Sequence, residues 1–221
     1  MMVAMQKRPL ADLPSADRLA PFDMRLELEG HYDYLHADGT VWDAATDAEH
    51  ARFSQVLFSR VTLDGGKWAK ATLSDVRFQD CRLLAVELSG SQWRDAEIVG
   101  GLASGLQWHG VELRRVAFDQ VKLDTVNFRN AKLADVVFTD CLLREADFAG
   151  AALTRVSFPG CTFERADFSR AKLAQVDLRG ARLDVARGLD SLRGATIDTG
   201  QLLDLAPAFA VHLGITVRDA A

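Results

Sequence analysis

Cysteine is scarce: the 221 residues hold three, Cys81, Cys141 and Cys161, and no two are close in sequence. That argues against a disulfide framework or a zinc site and suits a reducing, cytoplasmic compartment. No apolar run approaches the ~18 residues of a membrane-crossing helix, so no membrane partner is expected. The N-terminal stretch MMVAMQKRPLADLPSADRLA lacks the continuous apolar core of a secretory signal. Catalytic signatures are missing as well, with no GxSxG, HExxH, P-loop or GxGxxG. The five histidines, His31, His36, His50, His109 and His212, have no ligand spacing and read as surface groups. No catalytic, cofactor-binding or metal-binding residue is expected, and an enzyme is not. Excess charge of one sign is confined to the ends. Residues 1–50 carry 4 basic and 10 acidic side chains, whereas residues 51–187 carry 20 and 17, a net of +3.

What the chain does have is a period. Every fifth residue from Phe53 to Leu183 is large and apolar, with Ala103 the exception. Two residues before each stands Ala, Val, Cys, Gly or Ser, apart from Leu106. Two residues after each, Gly, Asp and Asn recur, the residues that tolerate turn dihedrals. Five residues advance a helix by roughly 140°, which smears the apolar positions around it. A strand alternates with period two, so apolar residues five apart would change faces. The pattern needs a chain that turns a corner once per unit, with one large and one small side chain directed inward.

The units ADFAG (146–150), ADFSR (166–170), VDLRG (176–180) and VNFRN (126–130) resemble the motif A-(D/N)-L-x-x of the pentapeptide-repeat family. The resemblance implies an all-β solenoid, a right-handed quadrilateral β-helix with four units, or 20 residues, per coil. Residues 20 apart then stack in columns. Phe58, Phe78, Phe118, Phe138 and Phe158 fall in one such column, with Val56, Val76, Val116, Val136 and Val156 beside it. The three cysteines also share a column and read as small buried hydrophobes. Trp93 and Trp108 are oversized for a narrow core. Their coil also holds Gly101 and Ala103, so the Trp93 ring is expected to cross toward Ala103. Val99–Gly105, VGGLASG, is the weakest stretch and the expected place for a local bend.

The expected organisation is a tail at 1–22, an N-terminal cap at 23–50, the β-helix at 51–198 and a helical C-terminal segment at 199–221. MRLELE (24–29) alternates like a strand, and residues 30–50 do not hold the register. A β-helix needs its open edges covered. Leu202, Leu205, Phe209 and Leu213 are spaced like one helix face, which either seals the last coil or forms a homodimer interface. Pro207 is expected to break or kink that helix, and Gly214 to stop it.

Members of the resembled family bind DNA gyrase or topoisomerase IV and confer quinolone resistance in bacteria, so the resemblance implies a protein that modulates a type II topoisomerase or protects it from a drug. The charge does not follow duplex DNA. A rod of 6–7 coils spans roughly 32 Å, over which DNA shows on the order of 19 negative charges. The most acidic face carries Asp80, Glu97, Asp119, Asp140 and Asp177 against Arg60, Arg77 and Arg179. Asp80, Glu97, Asp119 and Asp140 are the candidate partner-binding residues. The alternative is a scaffold rod for another protein. Direct nucleic-acid binding is disfavoured, because the face with Arg52, Arg94, Arg114, Arg115, Arg155 and Lys172 has no aromatic platform.

Overall fold

The computed structural model describes residues 18–218; most of the expected tail, residues 1–17, lies outside the described residues. The chain winds as a parallel β-solenoid of about eight turns and ends in one helix. This is the four-sided β-helix that the period of five requires. Its coils pair in register at a spacing of 20, as in Val116↔Val136 and Phe118↔Phe138.

The corner is the local event that builds everything else. Every fifth residue from His50 to Gly180 has a positive φ. Glycine adopts this conformation at little cost, and most other residues at about 1–2 kcal/mol. Arg60, Lys70, Gln120 and even the β-branched Thr125 adopt it here. What holds them is the next coil: Arg60 N donates to Gln79 O at 2.8 Å and Thr125 N to Arg144 O at 2.8 Å.

The Asp or Asn of the motif has a separate task. Asp147 Oδ1 accepts from Ala149 N at 2.9 Å, Asp167 Oδ1 from Ser169 N at 2.7 Å and Asn127 Oδ1 from Arg129 N at 3.0 Å. Each is an Asx-turn leading into a corner. A backbone bond from the residue after the corner closes the turn, as in Ala151 N to Phe148 O at 2.9 Å.

Inside, large side chains stack at the coil spacing. Phe58, Phe78, Phe118, Phe138 and Phe158 are all buried. The Phe118 and Phe138 rings lie 4.4 Å apart and the Phe138 and Phe158 rings 4.9 Å apart, nearly parallel. Trp93 and Trp108 are also enclosed. Trp93 stacks on Phe78 at 5.3 Å and meets Trp108 edge-on at 5.3 Å, and its Nε1 donates to the buried Ser91 Oγ at 3.0 Å.

Residues 31–50, expected to form part of a cap, wind as a coil of the same ladder. His31–Asp38 pairs with Arg52–Ser59 at an offset of 21, while Asp47 pairs with Lys67 at the usual 20. One extra residue therefore sits between Trp42 and Asp47. Gly65 and Gly66 make room for it: a Cβ on Gly65 would lie 3.0 Å from Ala44 Cβ, and one on Gly66 3.1 Å from Thr46 O.

The expected strand at Met24–Glu29 does not form. Its backbone is satisfied by a side chain instead. Glu27 N donates to Tyr32 Oη at 2.7 Å, and that hydroxyl donates to Arg25 O at 3.1 Å. The strand that tops the ladder is Ala20–Pro21, paired with Leu35 and His36.

At the other end, Ala195 and Thr196 pair with Val176 and Asp177, and helix α1 follows at Thr199–His212. Asp198 caps it by accepting from Gln201 N at 2.9 Å, and Gln201 Oε1 accepts from Asp198 N in return. Helix α1 runs through Pro207 rather than breaking there. The proline removes the donor owed to Leu203 O, at a residue that is 69% exposed, where water can take its place. Gly214, at φ 71, ends the helix, with Ile215 N donating to Ala210 O and Gly214 N to Val211 O.

In the Val99–Gly105 stretch the ladder is continuous: Leu102–Ser104 pairs with both neighbouring coils. The departure is at Gly101, whose φ of 82 falls on an inward position. A Cβ there would collide with the Cys81 backbone carbonyl. Gly110, at a corner with φ 66, faces open space. Gly110→Ala is therefore expected to cost about 1 kcal/mol, the left-handed penalty alone. Gly101→Ala should cost about 3 kcal/mol or more, because rigid backbone must move. Urea unfolding of the two variants measures the difference.

Candidate partner-binding face

The four candidate acids share one side of the β-helix. Glu97 and Asp119 point outward from its flat part, where Glu97 pairs in register with Arg77 and Ala117, and Asp119 with Val99 and Thr139. Asp80 and Asp140 occupy the corner that bounds this face, at φ 53 and 50. Two of the cations counted there from the sequence are paired with acids on this same side. Arg179 binds Asp177 through two nitrogens at 2.9 and 2.7 Å. Arg60 binds Asp38 of the N-terminal coil at 2.5 Å. Between residues 76 and 140, Arg77 is the one cation on these columns.

On the other faces several opposite charges pair between coils. Along one corner column Arg115 holds Asp95 at 2.6 and 2.5 Å, and Arg155 holds Asp135 at 2.5 and 2.8 Å. Elsewhere Lys132 binds Glu112 at 2.8 Å, Arg144 lies between Asp124 and Glu164, and Arg129 binds Asp147. Each pair lies about one coil apart, because the register sets opposite charges one layer from each other. The corner column gives the clearest signal in the sequence: Asp95, Arg115, Asp135 and Arg155 alternate in sign at intervals of 20. Among the described residues, neither Asp80 nor Asp140 makes an ion pair.

The cysteines are buried and free. Burial pushes the Cys81 thiol up to about 11, and Cys81 Sγ lies 3.3 Å from Phe58 O. A protonated, enclosed thiol is a packing group rather than a nucleophile. His36 Nε2 meets Ser59 Oγ at 3.0 Å, and His109 is exposed beside Asn130.

Helix α1 divides the candidate set at the C-terminus. Leu205 is 4% exposed, and Gln201, which sequence reasoning passed over, is buried. Gln201 Nε2 donates to Leu178 O and Ala181 O, both at 2.6 Å, and so closes the last coil. Leu202 and Leu213 are exposed, and Phe209 is half-buried.

Residues 111–187 match the family model described as a pentapeptide repeat region. That stretch of the chain is similar to the pentapeptide-repeat family, and the coil geometry above agrees with the likeness. No curated protein matches the sequence. Among solved structures, a trypsin-treated variant of QnrB1, a plasmid-mediated fluoroquinolone resistance protein, is similar at 14% identity and a TM-score of 0.41, covering 86% of this chain and 100% of that one. Full-length QnrB1 is 17% identical with a TM-score of 0.30, covering 84% and 100%. A pentapeptide repeat protein, Rfr23 from the cyanobacterium Cyanothece 51142, is 16% identical with a TM-score of 0.18, covering 60% of each chain. These overlaps are too loose to carry function.

The ladder makes one electrostatic prediction. The Arg155 side chain, by its hydrogen bonds, holds the Asp135 carboxyl below the usual carboxylate range. A carboxyl lowered by folding adds stability above its unfolded pKa and loses that stability as pH falls through the folded value. In Arg155→Met the Asp135 carboxyl should titrate nearer to ~3.9, and part of the loss of stability at low pH should disappear. A carboxyl-carbon NMR titration of both chains reads this directly.

Proposed function

We propose that this protein acts by binding, and that the face carrying Asp80, Glu97, Asp119 and Asp140 receives a protein partner. The supporting observation is the contrast between faces. On the best-paired columns Asp95, Asp135, Asp147 and Glu164 meet arginines about one coil away, whereas among the described residues Asp80 and Asp140, at the rim of a flat ladder, make no ion pair. Complementary charge of this kind steers a basic partner and fixes its register. The partner class to test first is a type II topoisomerase, DNA gyrase or topoisomerase IV, on the resemblance of the repeat units to that family. A scaffold rod for a different protein is the alternative. The setting proposed is the cytoplasm, where three free thiols stay reduced. No helix among the described residues is long and apolar enough to cross a membrane.

The experiment is gyrase supercoiling with and without a quinolone, using wild type and Asp80→Asn/Asp140→Asn. Asparagine keeps the corner conformation and removes the charge. The wild type should inhibit or protect, and the variant should need roughly tenfold more protein, about 1.4 kcal/mol of affinity. Absence of any effect at micromolar wild type removes the topoisomerase. Equal potency of the two chains removes the acidic face.

The outer side of helix α1 supports a second contact. Leu202, Leu203, Val211, Leu213, Ile215 and Val217 are exposed close together in sequence. A second copy of the chain is the occupant we propose, since an isolated apolar patch of this kind marks an interaction site. Light scattering after gel filtration should give a dimer, and Leu203→Glu/Leu213→Glu a monomer. A monomeric wild type at about 100 μM, a concentration at which ~5.5 kcal/mol would already pair the chains, overturns it.

A further inference from the structure

The alternation of charge between coils breaks at one place on the basic face. In the corner column of that face Asp95, Arg115, Asp135 and Arg155 change sign at every coil. In the flat column beside it, Arg94 and Arg114 stand in register, one coil or about 4.8 Å apart. Both side chains face outward and are exposed. Like charges directly across a ladder destabilise it. The nearby carboxylates are engaged by other cations: Arg115 holds Asp95, Arg155 holds Asp135 and Lys132 holds Glu112. Arg114 reaches Asp135 only through its field. Among the described residues neither Arg94 nor Arg114 makes an ion pair, not even with Asp75 on the adjoining corner.

The surroundings leave this pair accessible. Its neighbours in the column, Ser74 on one side and Ala134 on the other, are small, so both guanidinium groups are open to approach. Together they present two positive charges and two planar forks of N–H donors. A carboxylate brings one charge and two oxygens. A phosphoryl group brings close to two charges at neutral pH and three acceptor oxygens, enough for both forks to bind it at once. A nucleic-acid duplex needs cations repeated along the rod, and beyond Arg114 this column continues as Ala134, Thr154 and Ala174. The chemistry fits one compact dianion rather than a polyanion.

We propose that Arg94 and Arg114 form a binding site for a single phosphoryl group, carried on a phosphorylated side chain or present as free phosphate. The bound anion relieves the repulsion between the two arginines, so its binding also stabilises the fold. The site lies on a different face from Asp80 and Asp140 and stands independently of the partner reading above.

The test titrates the full chain at neutral pH and fixed ionic strength with inorganic phosphate, a blocked phosphoserine peptide and acetate, reading the arginine Nε–H signals by NMR. The Arg94 and Arg114 signals should shift saturably with phosphate, half-maximal at roughly 1–10 mM, and acetate should need about tenfold more. Tighter binding of the peptide than of inorganic phosphate assigns the site to a phosphorylated chain, and the reverse order to the free anion. Phosphate should raise the melting temperature of wild type and leave that of Arg94→Gln/Arg114→Gln unchanged. Equal shifts at Arg52 and Lys172, acetate as effective as phosphate, or a response still linear at about 50 mM phosphate overturns the proposal. So does an equal rise in melting temperature in the two chains. Should the double variant fail to fold, the site-resolved shifts in wild type decide alone.

Discussion

The structure depends on a left-handed corner once every five residues. Taken alone that corner is unfavourable for most side chains. It persists at Arg60, Gln120 and Thr125 because the amide at each corner donates to the coil that follows. The cost is local and the stabilisation comes from the neighbour. A single coil therefore cannot hold its own shape, and several must form together, as in other repeat proteins whose units contact only adjacent ones. The motif's Asp or Asn lowers the local cost by an Asx-turn, and its small residue lets the backbone bend round the core.

The same register that fixes the core also fixes the surface. Side chains 20 residues apart are held one layer from each other, so the sign of each charge must answer to the coils above and below. Asp95, Arg115, Asp135 and Arg155 satisfy this by alternation. Exposed pairs of this type each contribute little, ~0–1 kcal/mol. The face with Asp80 and Asp140 departs from that rule. Among the described residues neither of these two acids is paired with a cation one coil away.

Most of the coil was legible because its period is short and its register unbroken from Phe53 onward. The N-terminal coil was not legible, for two physical reasons. One extra residue between Trp42 and Asp47 shifts the phase, and two of its inward positions are Ala37 and Ala48 rather than large residues. The corners at Glu29, Tyr34 and Gly39, five apart, carried the pattern, but at residues that do not advertise a turn, Gly39 excepted. Met24–Glu29 alternated like a strand, yet the Tyr32 hydroxyl took up the Glu27 amide and the Arg25 carbonyl, a side-chain contact that the alternation does not encode. The acids of the candidate face were found by counting columns. The neutralisation of Arg60 by Asp38 needed the fold.

The two ends of the β-helix are closed by different means, and this restricts where a partner can bind. At the top, Phe22, Tyr32 and Trp42 cover the core, with Tyr32 stacked on Phe53 at 5.0 Å. The edge strand there contains Pro21, which has no amide to offer an incoming strand. At the bottom, Gln201 of helix α1 takes up the Leu178 and Ala181 carbonyls, the acceptors an added coil would need. Strand addition at either edge is thus blocked, and extension of the rod by stacking further coils with it. On the side of the rod, recognition would work through columns of side chains rather than through backbone hydrogen bonds. On such a surface, specificity would come from which columns carry unpaired charge, and among the described residues Asp80 and Asp140 are two acids without an ion pair.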